Sequence, residues 1–125
     1  MPETSSASPT GLELARRCVQ FAQDKKALEP VILDLRSIST ICDYLVICSA
    51  QSEPQIKAIV NGIEKELKDV FGLKPLAVDG FPASQWVVID YGEVMVHIFH
   101  EQRRGFYALE DLWSDAPQIN VLQTT

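Results

Sequence analysis

Cysteine, histidine and glycine are all sparse in this chain of 125 residues, and each shortage removes a class of chemistry. The three cysteines, Cys18, Cys42 and Cys48, are odd in number and form no CxxC, so a disulfide framework is not expected and a reducing, cytoplasmic setting fits. The six glycines include no GxGxxG or GxxxxGK[ST] run, which removes the loops that cradle phosphates. The two histidines, His97 and His100, fall three apart at the end of a β-like run, so they project differently and no metal site or cofactor is expected. Apolar runs are far short of the roughly 20 residues of a membrane span. Met1 to Thr10 has neither a basic start nor an apolar core, so it reads as a disordered tail and not as a secretory or transit signal.

Positive charge is also short. Eleven basic residues face 17 acidic ones, a net charge of −6. The first 30 residues are balanced, and the acidity mounts toward the C-terminal half. Such a chain repels nucleic-acid phosphate and anionic lipid and favours basic surfaces, so no direct DNA binding and no membrane are expected. Arg103 and Arg104 beside Phe106 and Tyr107 are too few to track a phosphate backbone.

What remains is an ordinary globular composition, 46% apolar and 22% charged, at a length that buries roughly two thirds of its unfolded surface. Residues 11–116 read as one domain and 117–125 as a loose C-terminal tail. Residues 11–27 read as a helix on the spacing of Leu14, Ala15, Cys18, Val19 and Ala22, with Thr10 and Glu13 as a capping box. Pro30 closes that segment, and 31–35 and 44–49 are β-rich runs, the second apolar enough to be buried on both faces. Ser52, Pro54 and Gln55 open a second helix whose stripe runs Ile56, Ile59, Val60, Ile63, Leu67, Val70, Phe71 and stops at Gly72.

Residues 74–79 read as an edge strand and Gly80-Phe81-Pro82 as a turn. Residues 85–90 and 93–99 read as a hairpin. Its turn is either Tyr91-Gly92 or Asp90-Tyr91-Gly92, and the two differ in register. In either case Val94, Val96 and Ile98 form a core face, and Glu93, Met95, His97 and Phe99 a mixed one. Residues 100–113 read as two short helical pieces broken near Gly105. The fold class is therefore α/β, a mixed β-sheet of about five strands with helices packed on it.

No catalytic constellation stands out. Cys48, His97 and Asp90 could be drawn as a triad, but a thiol in an apolar strand is a poor nucleophile. His97 is expected to bond an acid or a backbone carbonyl. Asp90 and Glu93 have the wrong parity for a two-metal site, and no DxD or DxE lies on a strand. The strand-to-helix segment 49–55 reads as ordinary capping.

The string Trp86 to Phe99 (WVVIDYGEVMVHIF), with Glu101, Arg104, Tyr107, Leu109-Glu110 and Leu112-Trp113 after it and Asp34-Leu35, Asp43 to Ile47 and Gln55 before it, resembles the Iojap-like ribosomal silencing factors. One departure is Ala50, where a glycine is expected after Ser49. The resemblance implies an α/β fold similar to nucleotidyltransferases without the catalytic acids, and a protein that is not an enzyme. It implies binding to the large ribosomal subunit through a basic ribosomal protein of the inter-subunit face, universal large-subunit protein fourteen. It further implies steric exclusion of the small subunit, repression of translation when nutrients are scarce, and, for some relatives, a role in large-subunit assembly.

An acidic domain with a mixed hairpin face suits a basic partner. The expected contact residues are Trp86 as aromatic anchor, Asp90 and Glu93 as charge partners, Tyr91 as an exposed loop contact, and Met95 and His97 in the same patch. Arg104, Tyr107 and Trp113 are expected to pack the last helix on the sheet. Two other readings are a small nucleotide-binding transferase working at the helix start after residue 51, and a homodimer formed through the mixed face.

Overall fold

Strand β2, Tyr44–Ala50, sets the architecture: all seven of its residues are buried, so both sides of the sheet must be covered there. The computed structural model of the chain describes residues 9–81, 85–107 and 113–121. Its elements run α1 (Gly11–Asp24), β1 (Leu28–Asp34), β2, α2 (Glu53–Phe71), β3 (Ala77–Phe81), β4 (Trp86–Asp90), β5 (Val94–His100), α3 (Glu101–Tyr107) and β6 (Gln118–Ile119). The sheet has six strands in the order β3-β4-β5-β2-β1-β6, with β2 and β5 parallel and the other pairs antiparallel. The mixed α/β class is as expected, with β6 the strand beyond the anticipated five.

Helices α1 and α2 cover one face. Leu14, Cys18, Val19 and Ala22 of α1 and Ile56, Ile59, Ile63 and Leu67 of α2 meet Val46, Cys48, Val96 and Ile98 of the sheet. The second face holds a smaller cluster of Leu33, Leu35, Cys42, Leu45, Ile47, Phe99 and Ala116, with Trp113 packed on it. Helix α3 lies against β5 and β2 on that side.

Several local expectations change. Thr10 takes an extended cap conformation but makes no side-chain cap bond; the α1 N-terminus is met instead by the Glu93 carboxylate, which accepts from the Gly11 N–H. Residues 1–8 of the anticipated N-terminal tail lie outside the described residues. Pro30 lies inside β1, where the pairing with β2 is irregular between Leu28 and Val31 and so tolerates a missing donor. Val70, placed on the α2 stripe, is 58% exposed, although Phe71 and Leu73 after it still pack against the core. Gly80 and Phe81 belong to β3 and not to a turn. Helix α3 passes through Gly105 unbroken. Residues 118–119, read as part of a loose tail, form β6 against Ile32 and Leu33, and the Asn120 carbonyl accepts from the Arg16 guanidinium.

The hairpin turn fits neither proposed form. Tyr91 N–H donates to the Val94 carbonyl at 2.9 Å, so Gly92 and Glu93 are the two central residues, and Gly92 takes φ 90°. Sliding the turn onto Gly92 spares Tyr91 a positive φ, which a bulky aromatic resists. Asp90 fixes it by accepting from the Gly92 N–H at 2.7 Å. The resulting parity is that of the two-residue option: Trp86, Val88 and Asp90 share the second face with Met95, His97 and Phe99.

Arg104 holds α3 to the sheet. It is buried at 7% exposure, and its Nη1 donates to the Glu29 carbonyl at 2.6 Å and the Ser49 hydroxyl at 3.1 Å. Glu29 stands at φ 47°, a conformation that costs a non-glycine residue about 1–3 kcal/mol and that Arg104 helps to hold. Replacing Arg104 by Met keeps the aliphatic stem but strands these acceptors; the expected loss of stability is about 2–4 kcal/mol in urea unfolding. A change below about 0.5 kcal/mol would contradict the assignment.

Candidate partner-binding face

Toward the β3 edge the second face changes character. Directly paired residues put Ala77 beside Asp90, Asp79 beside Val88, Val88 beside His97 and Asp90 beside Met95. Trp86, Val88, Asp90, Met95 and His97 are each half-buried, and Ala77 and Asp79 exposed. Among the described residues α2 is the one helix with an extensive contact to β4, from the opposite side of the sheet, and no helix has one with β3. Asp79 and Asp90 supply the charge of this face, and strands β3 to β5 carry no lysine or arginine at all.

Its centre is a slab of three rings. Trp86 stacks on Phe99 with centroids 5.1 Å apart and on His97 at 5.9 Å, and His97 stacks on Phe99 at 6.1 Å. The Trp86 indole N–H donates to His97 Nδ1 at 3.1 Å. His97 therefore bonds an indole, not the acid or backbone carbonyl expected of it. Burial pushes its pKa down to about 4, so the imidazole is neutral at neutral pH.

The structure brings together Trp86, Asp90, Met95 and His97 and separates two others. Tyr91, anticipated as an exposed contact, is buried at 7% exposure on the helix-covered side. Its hydroxyl is sealed in without a partner among the described residues, and burial near Cys18 and Glu64 holds its proton on. The cause is parity: one residue beyond Asp90, the side chain crosses the sheet. Glu93 is half-buried and serves the fold. Its carboxylate meets the α1 N-terminus, and its carbonyl accepts from Asp43 N–H at 2.8 Å and Tyr44 N–H at 3.0 Å. Val88 shares the side of its strand with Trp86 and Asp90, as the alternation of β4 indicates, but was not among the expected contacts; Asp79 was missed altogether, and two-residue alternation through 77–81 was the available signal for it.

The Cys48 triad does not assemble. Cys48 lies in the helix-covered core and His97 on the opposite side of the sheet, and burial pushes the thiol up to about 12. At the start of α2, Ser52 Oγ accepts from Gln55 N–H at 3.2 Å, while the Gln55 amide accepts from Gln51 N–H and donates to the Lys25 and Lys26 carbonyls. Those bonds occupy the helix entrance with capping, as its sequence suggests. A groove of about 650 Å³ lies along the outer side of α2 near Lys68 and Lys74, open to solvent and away from the ring slab. Among the described residues no group of three His, Cys, Asp or Glu is placed to hold a metal ion.

Fold and face together describe a small α/β protein with a broad, open, acidic and aromatic surface. A family model described as ribosomal silencing factor during starvation matches residues 8–125, and the chain belongs to that family. It is 38% identical over 109 residues to a protein of Halalkalibacterium halodurans named ribosomal silencing factor, across 87% of this chain and 92% of that one. It is 42% identical over 98 residues to the Bacillus subtilis protein of the same name, across 78% and 82%. A crystal structure from Bacillus halodurans superposes with a TM-score of 0.75 at 35% identity, over 88% of this chain and 99% of that one.

The lowered His97 pKa predicts a pH dependence. The unfolded imidazole takes up a proton below about pH 6.5 and the folded one only near 4, so the unfolded state binds more protons in between and stability falls as pH falls. His97 should account for about 2 kcal/mol of loss between about pH 7 and pH 5. Urea unfolding of wild type and His97→Gln at both pH values measures it; equal losses in the two proteins would contradict the burial.

Proposed function

We propose that the protein is a ribosomal silencing factor that binds the large ribosomal subunit and keeps the small subunit from joining. The observation that carries this is the family match across residues 8–125, together with relatives that bear the name. The docking surface is the open half of the second sheet face, with Trp86 as anchor, Met95 and Val88 as its apolar surround, and Asp79 and Asp90 as the charges. Its partner is a basic ribosomal protein of the inter-subunit face, universal large-subunit protein fourteen. Acidic and cationic surfaces steer each other into contact, and a half-buried tryptophan supplies the fixed apolar area that interfaces favour.

The action is steric and consumes no substrate, so the protein is not an enzyme. It acts in the cytoplasm, where ribosomes are assembled and silenced. The open face also offers itself to a second copy of the chain, so a free homodimer would compete with the ribosome for one surface.

Sedimentation with purified ribosomal particles tests the reading: the protein should travel with isolated large subunits and not with joined ribosomes. Protein that ignores large subunits at low salt would contradict it. The double variant Asp79→Asn, Asp90→Asn keeps an acceptor for the Gly92 N–H and removes both charges. It should bind about tenfold more weakly at low salt, with a shallower salt dependence and an unchanged circular dichroism spectrum. Wild-type affinity at every salt concentration would remove these acids from the interface.

A further inference from the structure

We infer that His97 is a recognition residue: its Nε2–H is a fixed, neutral, outward-facing donor that takes a carbonyl oxygen of the docked basic protein. This contact rests on the docking reading above and names the chemistry at its centre.

A neutral imidazole carries one N–H and one bare nitrogen, and the hydrogen bond at one determines the other. An indole nitrogen only donates, so the Trp86 bond at 3.1 Å requires His97 Nδ1 to be the bare acceptor. The proton must then sit on Nε2. Stacking against Trp86 at 5.9 Å and Phe99 at 6.1 Å restrains the ring from turning the other nitrogen outward.

Nε2 has no acceptor among the described residues. Nor is it sealed in, for the Tyr91 hydroxyl is the one buried side-chain polar atom left without a partner among them. The N–H therefore opens onto the face between Val88, which pairs directly with His97, and the ring slab. In the free protein water satisfies it. When a partner covers the face that water leaves, and an unpaired N–H would then oppose binding by its desolvation cost.

The occupant follows from charge. The face has two acids and no lysine or arginine on its strands, which selects a basic protein surface. Lysine and arginine side chains offer only donors, so the acceptor for Nε2–H has to come from another group, and the backbone carbonyl is the one that every residue of such a surface carries. Asp79 and Asp90 would then meet the partner's cations while His97 reads its backbone, a division between steering and register.

Two substitutions separate the nitrogens. In His97→Gln the side-chain amide nitrogen reaches about where Nε2 stood, so the outward donor survives and the Trp86 acceptor is lost. In His97→Asn the carbonyl oxygen replaces Nδ1, so the Trp86 bond survives and the outward donor is lost. Binding of each to purified large subunits should fall at least about tenfold for His97→Asn and only about threefold or less for His97→Gln. Equal losses, or none in His97→Asn, overturn the contact. Long-range proton–nitrogen correlation on the free protein should show Nε2 protonated and Nδ1 bare, and the reverse overturns it without reference to any ribosome. Wild-type protein that fails to bind large subunits, with the expected tautomer present, defeats the ribosomal reading and the contact built on it while leaving the Trp86–His97 geometry intact.

Discussion

A strand buried on both faces is the constraint from which the rest of this structure follows. β2 shows water none of its seven residues, and its parallel partner β5 lines the helix-covered core with Val94, Val96 and Ile98. Helices α1 and α2 answer for one side. On the other, α3 and the segment around Trp113 and Ala116 reach the sheet where β2, β1 and the end of β5 need them. The cover stops there among the described residues. Of the two outer strands, β4 is covered by α2 from one side only and β3 has no extensive helix contact among the described residues, and the open half is where the rings and the acids lie. Burying the centre of the sheet from a short chain leaves its β3 edge open.

Much of this was legible from residue spacing. The α2 stripe from Ile56 to Leu67, the left-handed stop at Gly72 and the near-continuously apolar β2 were readable because each is a local signal with little competition. Capping at Ser52 was equally plain. The Val94-Val96-Ile98 core face stood out by alternation, whatever the register. The string from Trp86 to Phe99 carried the family, and the match over residues 8–125 agrees with it.

What was not legible depended on distant groups. Thr10 looked like a cap, but the carboxylate that serves α1 comes from Glu93, 82 positions away. Pro30 looked like a breaker because nothing local announces that Arg104 will hold the irregular start of β1. Tyr91 looked like an exposed loop residue, since a turn one residue later than either anticipated form was needed to bury it. Val70 fits the spacing of its stripe and is exposed all the same, while Phe71 and Leu73 just beyond it reach the core. Of the six contact residues expected, four lie together on the open face, while Glu93 braces the fold from its margin and Tyr91 points the other way.

The central claim is that the open, acidic and aromatic half of the sheet is the surface that meets the ribosome. Hydroxyl-radical footprinting of the protein with and without purified large subunits addresses it at the level of side chains. Met95 and Trp86 should lose reactivity on binding, while Val70 and Phe71 at the far end of α2 keep theirs. Unchanged labelling of Met95 and Trp86 in the bound state, or protection confined to α2, would contradict the account.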